Sequence, residues 1–227
     1  MSRILARQIG LSLLFISSTA APGWTMSAAD YRTLGLQYRQ QERFPEAIAA
    51  LQTAAQLEPD NLDGHVSLGW TQHLAKQDRM AAETLQAVLQ QNPGYVPALN
   101  AVGIVYLMNN DPVAAATTHL WASWLAPENE IAFYNLSLAW QRLDQHPWAI
   151  AAAQKSAQLE PNNPHPHVAL AIAQWSKGDQ AAAKQSYQQA VDLDARYSSA
   201  AFLDYLNEAG FSVDQIATAK QVLQSSP

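Results

Sequence analysis

Residues 28–61 read AADYRTLGLQYRQQERFPEAIAALQTAAQLEPDN. Tyr31, Leu34, Gly35 and Tyr38 fall at i, i+3, i+4 and i+7, one stripe of a helix. A turn is expected near Glu42, Arg43 and Phe44. A second stripe follows at Ala47, Leu51, Ala54 and Ala55. Pro59 then ends the second helix, because it cannot continue the backbone hydrogen-bond ladder. The stretch therefore predicts two helices joined by a short turn.

The same pattern recurs along the chain. Pro59, Pro93, Pro127 and Pro161 are spaced by 34 residues, and Ala195 takes the next slot. Gly35, Gly69 and Gly103 share that spacing and are followed by Ser137 and Ala171. Ala47, Ala81, Ala115, Ala149 and Ala183 make a third series; Ala54, Val88, Ala122, Ser156 and Ala190 make a fourth. Small residues at fixed places have a packing reason. They let two antiparallel backbones approach, and a larger side chain would overpack the contact. No such unit buries its apolar face alone, so neighbours must stack.

The signature of an aromatic, Leu-Gly, Tyr, Ala, a large apolar residue, Ala and Pro resembles the tetratricopeptide repeat (TPR) family. The first unit supplies Tyr31, Leu34-Gly35, Tyr38, Ala47, Leu51, Ala54 and Pro59 without departure. The second keeps Leu68-Gly69, Ala81, Leu85 and Pro93 but has His65 and Gln72 for the aromatics. The third keeps Val102-Gly103, Tyr106, Ala115, Ala122 and Pro127, with His119 in the large apolar slot. The fourth offers Phe133, Leu136-Ser137, Trp140, Ala149 and Pro161; the fifth Leu170-Ala171, Ala183, Tyr187 and Ala190. The resemblance implies an all-α fold, a right-handed TPR superhelix (α-solenoid) of antiparallel helix pairs. Its units would be 28–61, 62–95, 96–129, 130–163 and 164–197. Residues 198–227 would form a capping pair: a sixth first-helix over 198–209, a left-handed stop at Gly210, and a final helix capped by Ser212 with Gln215. That pair covers the last repeat, or alternatively enters the groove of its own chain or of a neighbour.

The resemblance also implies a concave face lined by first helices, binding peptides or partner proteins without chemistry. The ninth-place residues are Leu36, Trp70, Ile104, Leu138 and Ile172. The fifth-place residues are Arg32, Val66, Asn100, Tyr134 and Val168. Arg39, His73, Leu107, Met108, Arg142 and Trp175 are added by the twelfth and thirteenth places. This lining is unusually apolar. Burying about 400 Å² of it gives a gross gain of about 10 kcal/mol, of which association costs remove half or more. Micromolar binding of an apolar or amphipathic segment is the expectation, and coverage by the chain's own ends is the alternative. The arginines and Asn100 are scattered and no lysine accompanies them, so a clamp for a chaperone's C-terminal carboxylate is not expected.

Composition narrows the field further. The 227 residues are 48% hydrophobic, enough for a packed core, and the formal charge is −6, against a nucleic-acid partner. There is no cysteine, which excludes disulfides, thiolate metal sites and cysteine catalysis. Residues 1–25 combine Arg3 and Arg7, an apolar run over 9–16 and a Ser18-Thr19-Ala20 cleavage site. This is the pattern of an export signal, too short to span a bilayer comfortably. The periplasm is the expected destination, with the thylakoid lumen, the cell surface or an uncleaved N-terminal anchor as alternatives. No integral span is expected in the mature chain. His165-Pro166-His167 is read as a loop between units, and no metal or cofactor is expected. Trp121 and Trp124 are read as core or inter-repeat packing. No catalytic constellation stands out, so the expected role is a non-enzymatic scaffold or assembly factor. A self-associating subunit whose groove holds its own C-terminal helix is the rival, and a homo-oligomer is compatible with both.

Overall fold

The structure, a computed structural model, describes residues 26–225. The export-signal reading of residues 1–25 lies outside the described residues. Ten helices alternate in antiparallel pairs: α1 (Ala28–Gln40), α2 (Phe44–Leu57), α3 (Leu62–Leu74), α4 (Asp78–Gln91), α5 (Val96–Met108), α6 (Pro112–Leu125), α7 (Glu130–Arg142), α8 (His146–Leu159), α9 (Pro164–Lys177) and α10 (Gln180–Leu193). Two 3-10 segments, Ala195–Ser198 and Phe202–Ala209, lead to α11 (Val213–Ser225). No strand occurs among the described residues. Each helix packs on its chain neighbours, and successive odd-numbered helices from α3 to α9 also touch one another. The result is an all-α solenoid whose odd-numbered helices form the inner face.

Local chemistry explains the helix ends. Ser27 caps α1 in a capping box with Asp30, and one repeat later Asn61 caps α3; Asn129 and Asn163 do the same for α7 and α9. Between the helices of each pair the chain needs one left-handed residue. Glu42, Lys76, Asn110 and Asp144 fill that place with φ of 58, 61, 58 and 56°, and in the fifth pair it is Gly178 at 94°.

The small-residue series sit where the backbones cross. The series from Ala47 to Ala183 is fully buried, as are Ala54, Val88, Ala122, Ser156 and Ala190. A Cβ on Gly35 would lie 2.6 Å from Leu51 Cγ, and one on Gly69 would lie 2.7 Å from Leu85 Cγ. On Gly103 it would meet His119 Nε2 at 2.5 Å. His119 thus takes the place of the leucines, fully buried and with neither ring nitrogen hydrogen-bonded. Burial pushes its pKa from 6.5 down to about 3, against an opposing pull from the adjacent Gly103 backbone.

Three expectations need correction. Residues 198–209 form no sixth first-helix: Leu203 and Leu206, three apart, are the buried positions, and that spacing suits a 3-10 helix. Upstream, Tyr187 donates its hydroxyl to the Tyr197 carbonyl at 2.8 Å, which anchors the departure from the repeat. His165 and His167 lie inside α9, not in a loop, because Asn163 caps the helix ahead of Pro164. Trp121 and Trp124 are not core; both are exposed on the outer side of α6, whose inward side is carried by Ala115, Ala116, His119, Ala122 and Ser123.

Candidate protein-binding groove

The inner face is divided in two by the chain's own C-terminus. Gly210, at φ 87°, turns the chain after the second 3-10 segment, and Ser212 and Gln215 form the expected capping box of α11. Residues 209–216 settle onto the inner face. Tyr134 donates its hydroxyl to the Ala209 carbonyl at 2.6 Å. Arg142 donates to the Leu107 carbonyl at 2.6 Å, to the Gly210 carbonyl, and to Gln215 Oε1 at 3.1 Å. The Gln215 amide in turn donates to the Leu138 carbonyl at 3.1 Å and to Gln141 Oε1 at 2.8 Å. None of the three Arg142 partners carries charge, and burial pulls its pKa below the ordinary arginine value. Phe211 is buried edge-on against Tyr134, ring centroids 6.1 Å apart. Leu107, Leu138, Val168 and Ile172 are sealed beneath this segment in one apolar cluster, with Trp175 and Tyr134 packed at its margin. Of the groove residues expected from sequence, Leu107, Leu138, Val168 and Ile172 are therefore closed to a guest, while Arg142 and Trp175 face their own chain half-buried. Tyr134 stands on the border between the sealed half and the open one.

The other half is open. Trp70, His73, Leu74, Ile104, Met108 and Tyr134 line a cleft of about 650 Å³, with Phe44, Glu42, Lys76 and Glu208 among its other walls. Trp70 and Ile104 also border a shallower apolar depression shared with Val66, Val96, Pro97, Asn100 and Ile131. Trp70 and Ile104 are thus walls of both. Trp70 and His73 rings lie 5.1 Å apart, and His73 Nδ1 is held by Asp78 at 2.5 Å, which fixes that wall. Leu36 and Met108 are exposed. Arg32 is paired with Glu58, so it is tied to the loop after α2. Arg39 is partly covered, and that burial lowers its pKa. The Asn100 amide oxygen is enclosed without a hydrogen-bond partner. The sequence missed Glu208, Ala209 and Gly210 as cleft walls; Gly210 marked the turn but not its destination. Among the described residues no group of three His, Asp or Glu side chains is placed to hold a metal ion.

This arrangement defines a helix-pair solenoid with an inner trough, the class of fold used for protein interaction and assembly. Sequence models of the TPR repeat match residues 35–74, and of the tetratricopeptide repeat residues 165–197. Solved structures share the architecture. MamA 41-end from Desulfovibrio magneticus RS-1 has a TM-score of 0.67 at 23% identity, over 76% of this chain and 97% of that one. A crystal structure of MamA protein gives 0.64 at 22% identity, over 75% and 93%. A thermophilic TPR protein in Thermus thermophilus, TTC0263, gives 0.62 at 17% identity, over 87% and 100%. Comparison with curated proteins found no match. The chain thus carries tetratricopeptide repeats at residues 35–74 and 165–197 and shares the fold of these structures. Among the described residues no helix is long and apolar enough to cross a membrane.

Proposed function

We propose that this chain is an exported, non-catalytic scaffold that holds an apolar or amphipathic protein segment in the open half of its inner trough. One observation carries the reading: Trp70 and Ile104 stay partly exposed as walls of both the cleft and the apolar depression, while in the other half the inner face already holds a segment of the chain itself. The Arg3 and Arg7 pair with the apolar run after it supports export. Glu42, Lys76 and Glu208 at the walls give the guest charged contacts of both signs.

Selection of displayed peptides on the immobilised protein tests the binding. Wild type should enrich apolar or amphipathic sequences, and a Trp70→Asp/Ile104→Asp variant should bind the resulting peptides at least about tenfold more weakly, the loss of about 1.4 kcal/mol. Leu138 is no place for such a variant, since it is buried. Equal binding by the two proteins overturns the groove reading. A second reading, a self-associating subunit, draws on the docking of residues 209–216; it requires those contacts to form between copies, and association would then vanish when the chain stops before Phe211.

A further inference from the structure

The outer side of α6 asks for a different explanation from the trough. Val113, Thr117, Leu120, Trp121 and Trp124 fall at i, i+4, i+7, i+8 and i+11, one continuous stripe. Val113 is 62% exposed, Leu120 50%, Trp121 49% and Trp124 77%. Thr117, Leu120, Trp121 and Trp124 border a shallow apolar hollow of about 540 Å³. The repeat supplies its own control. One unit earlier the same places hold Arg79, Glu83, Gln86, Ala87 and Gln90; one unit later they hold Pro147, Ala151, Gln154, Lys155 and Gln158. The fold therefore does not require apolar residues there. Helix α6 buries small residues and His119, and its bulky apolar side chains face solvent.

We infer that this stripe is the twofold interface of a homodimer, α6 against α6. Tryptophan, leucine and valine side chains of this exposure offer up to roughly 500 Å² per copy, given that an aromatic buries 150–250 Å². Two copies together remove roughly 1,000 Å², the scale at which a specific interface begins. Isologous pairing sets the same patch on both partners, so apolar meets apolar along the whole stripe. Charge favours this occupant. The chain carries −6, yet α6 has no acidic or basic side chain apart from the buried His119, so two copies meet there without like-charge contact. A helix that lies on a lipid surface carries lysine and arginine on its polar margins, and α6 has neither.

The full chain should sediment as a dimer that dissociates on dilution through the micromolar range. Trp121→Glu/Trp124→Glu should weaken the dimer at least about tenfold, while Gln154→Glu/Gln158→Glu, at the α8 places that match Leu120 and Trp124, should leave it unchanged. The absence of cysteine permits a second readout that needs no disruptive variant. Thr117→Cys should oxidise to a disulfide-linked dimer far faster than Gln154→Cys. A wild type that stays monomeric overturns the inference, as does a tryptophan variant that dimerises normally. Cross-linking no faster at position 117 than at 154 overturns it too. Monomers that float with zwitterionic vesicles would reassign the stripe to a lipid surface. Loss of the dimer in Trp70→Asp/Ile104→Asp, with the α6 variant unaffected, would place association in the trough instead.

Discussion

His119 shows how one residue can fit a shape and still miss its chemistry. Its ring fills the hollow over Gly103 that Leu51 and Leu85 fill over Gly35 and Gly69, but its two nitrogens find no partner there. The folded state holds the ring neutral down to about pH 3, whereas the unfolded chain takes up a proton below about 6.5. Stability is therefore fully retained above pH 6.5 and falls as the pH drops from there toward 3, by up to about 1.4 kcal/mol per unit. His119→Leu should flatten that decline, as read from urea unfolding at about pH 7 and about pH 5. His165, also pushed down by burial, is present in both proteins and cancels in the difference. An identical pH dependence in the variant would show that His119 is already relieved in the folded state. The substitution of histidine for a large apolar residue was visible in the 34-residue register. The left-handed series from Glu42 to Gly178 was not, because only its fifth member, Gly178, declares the conformation.

At the scale of an element, the segment after α10 departs most from the repeat. The helices α1 to α10 were legible because the same small residues and prolines return in one register, each reinforcing the others. That register stops at Ala195, where no proline ends the unit. What holds the following residues is tertiary: Arg142 and Gln215 are 73 residues apart, and no local pattern links them. Arg142→Met keeps a long apolar stem but takes the Arg142 donor from the Gly210 carbonyl; the Leu107 carbonyl keeps the Asn110 N–H and Gln215 Oε1 keeps the Ser212 N–H. An unsatisfied buried acceptor costs about 1–3 kcal/mol, so the variant should lose about that much and release residues 209–216. Hydrogen exchange should quicken in that segment and leave α1 to α4 unchanged. Unaltered exchange there would mean that packing of Phe211 suffices. The outward turn of Trp121 and Trp124 was within reach of the sequence, since Ala87 and Lys155, Gln90 and Gln158 stand in the same register. Bulk alone misled, because the buried side of α6 is made of small residues and His119.

For the whole molecule, stability is unevenly spread. The largest apolar cluster joins α5 to α11 and includes Leu107, Leu138, Val168, Ile172, Leu203, Phe211 and Ile216. The first two pairs rest on smaller clusters. A chain ending at Asn207 would return Leu107, Leu138, Val168 and Ile172 to water at roughly 1.5–3 kcal/mol for each side chain fully exposed. Its urea midpoint should fall markedly, with α7 to α10 loosening first. An unchanged midpoint would show that the solenoid stands without its terminal segment. The trough itself was legible only in part: the first-helix places could be read from the 34-residue register, but which half stays open depends on where Gly210 sends the chain. Because Arg142 and Gln215 fasten that plug, the trough is a blind alley. A guest laid along it must stop or swerve at the plug, so a chain terminus or a bend suits the channel better than an uninterrupted strand.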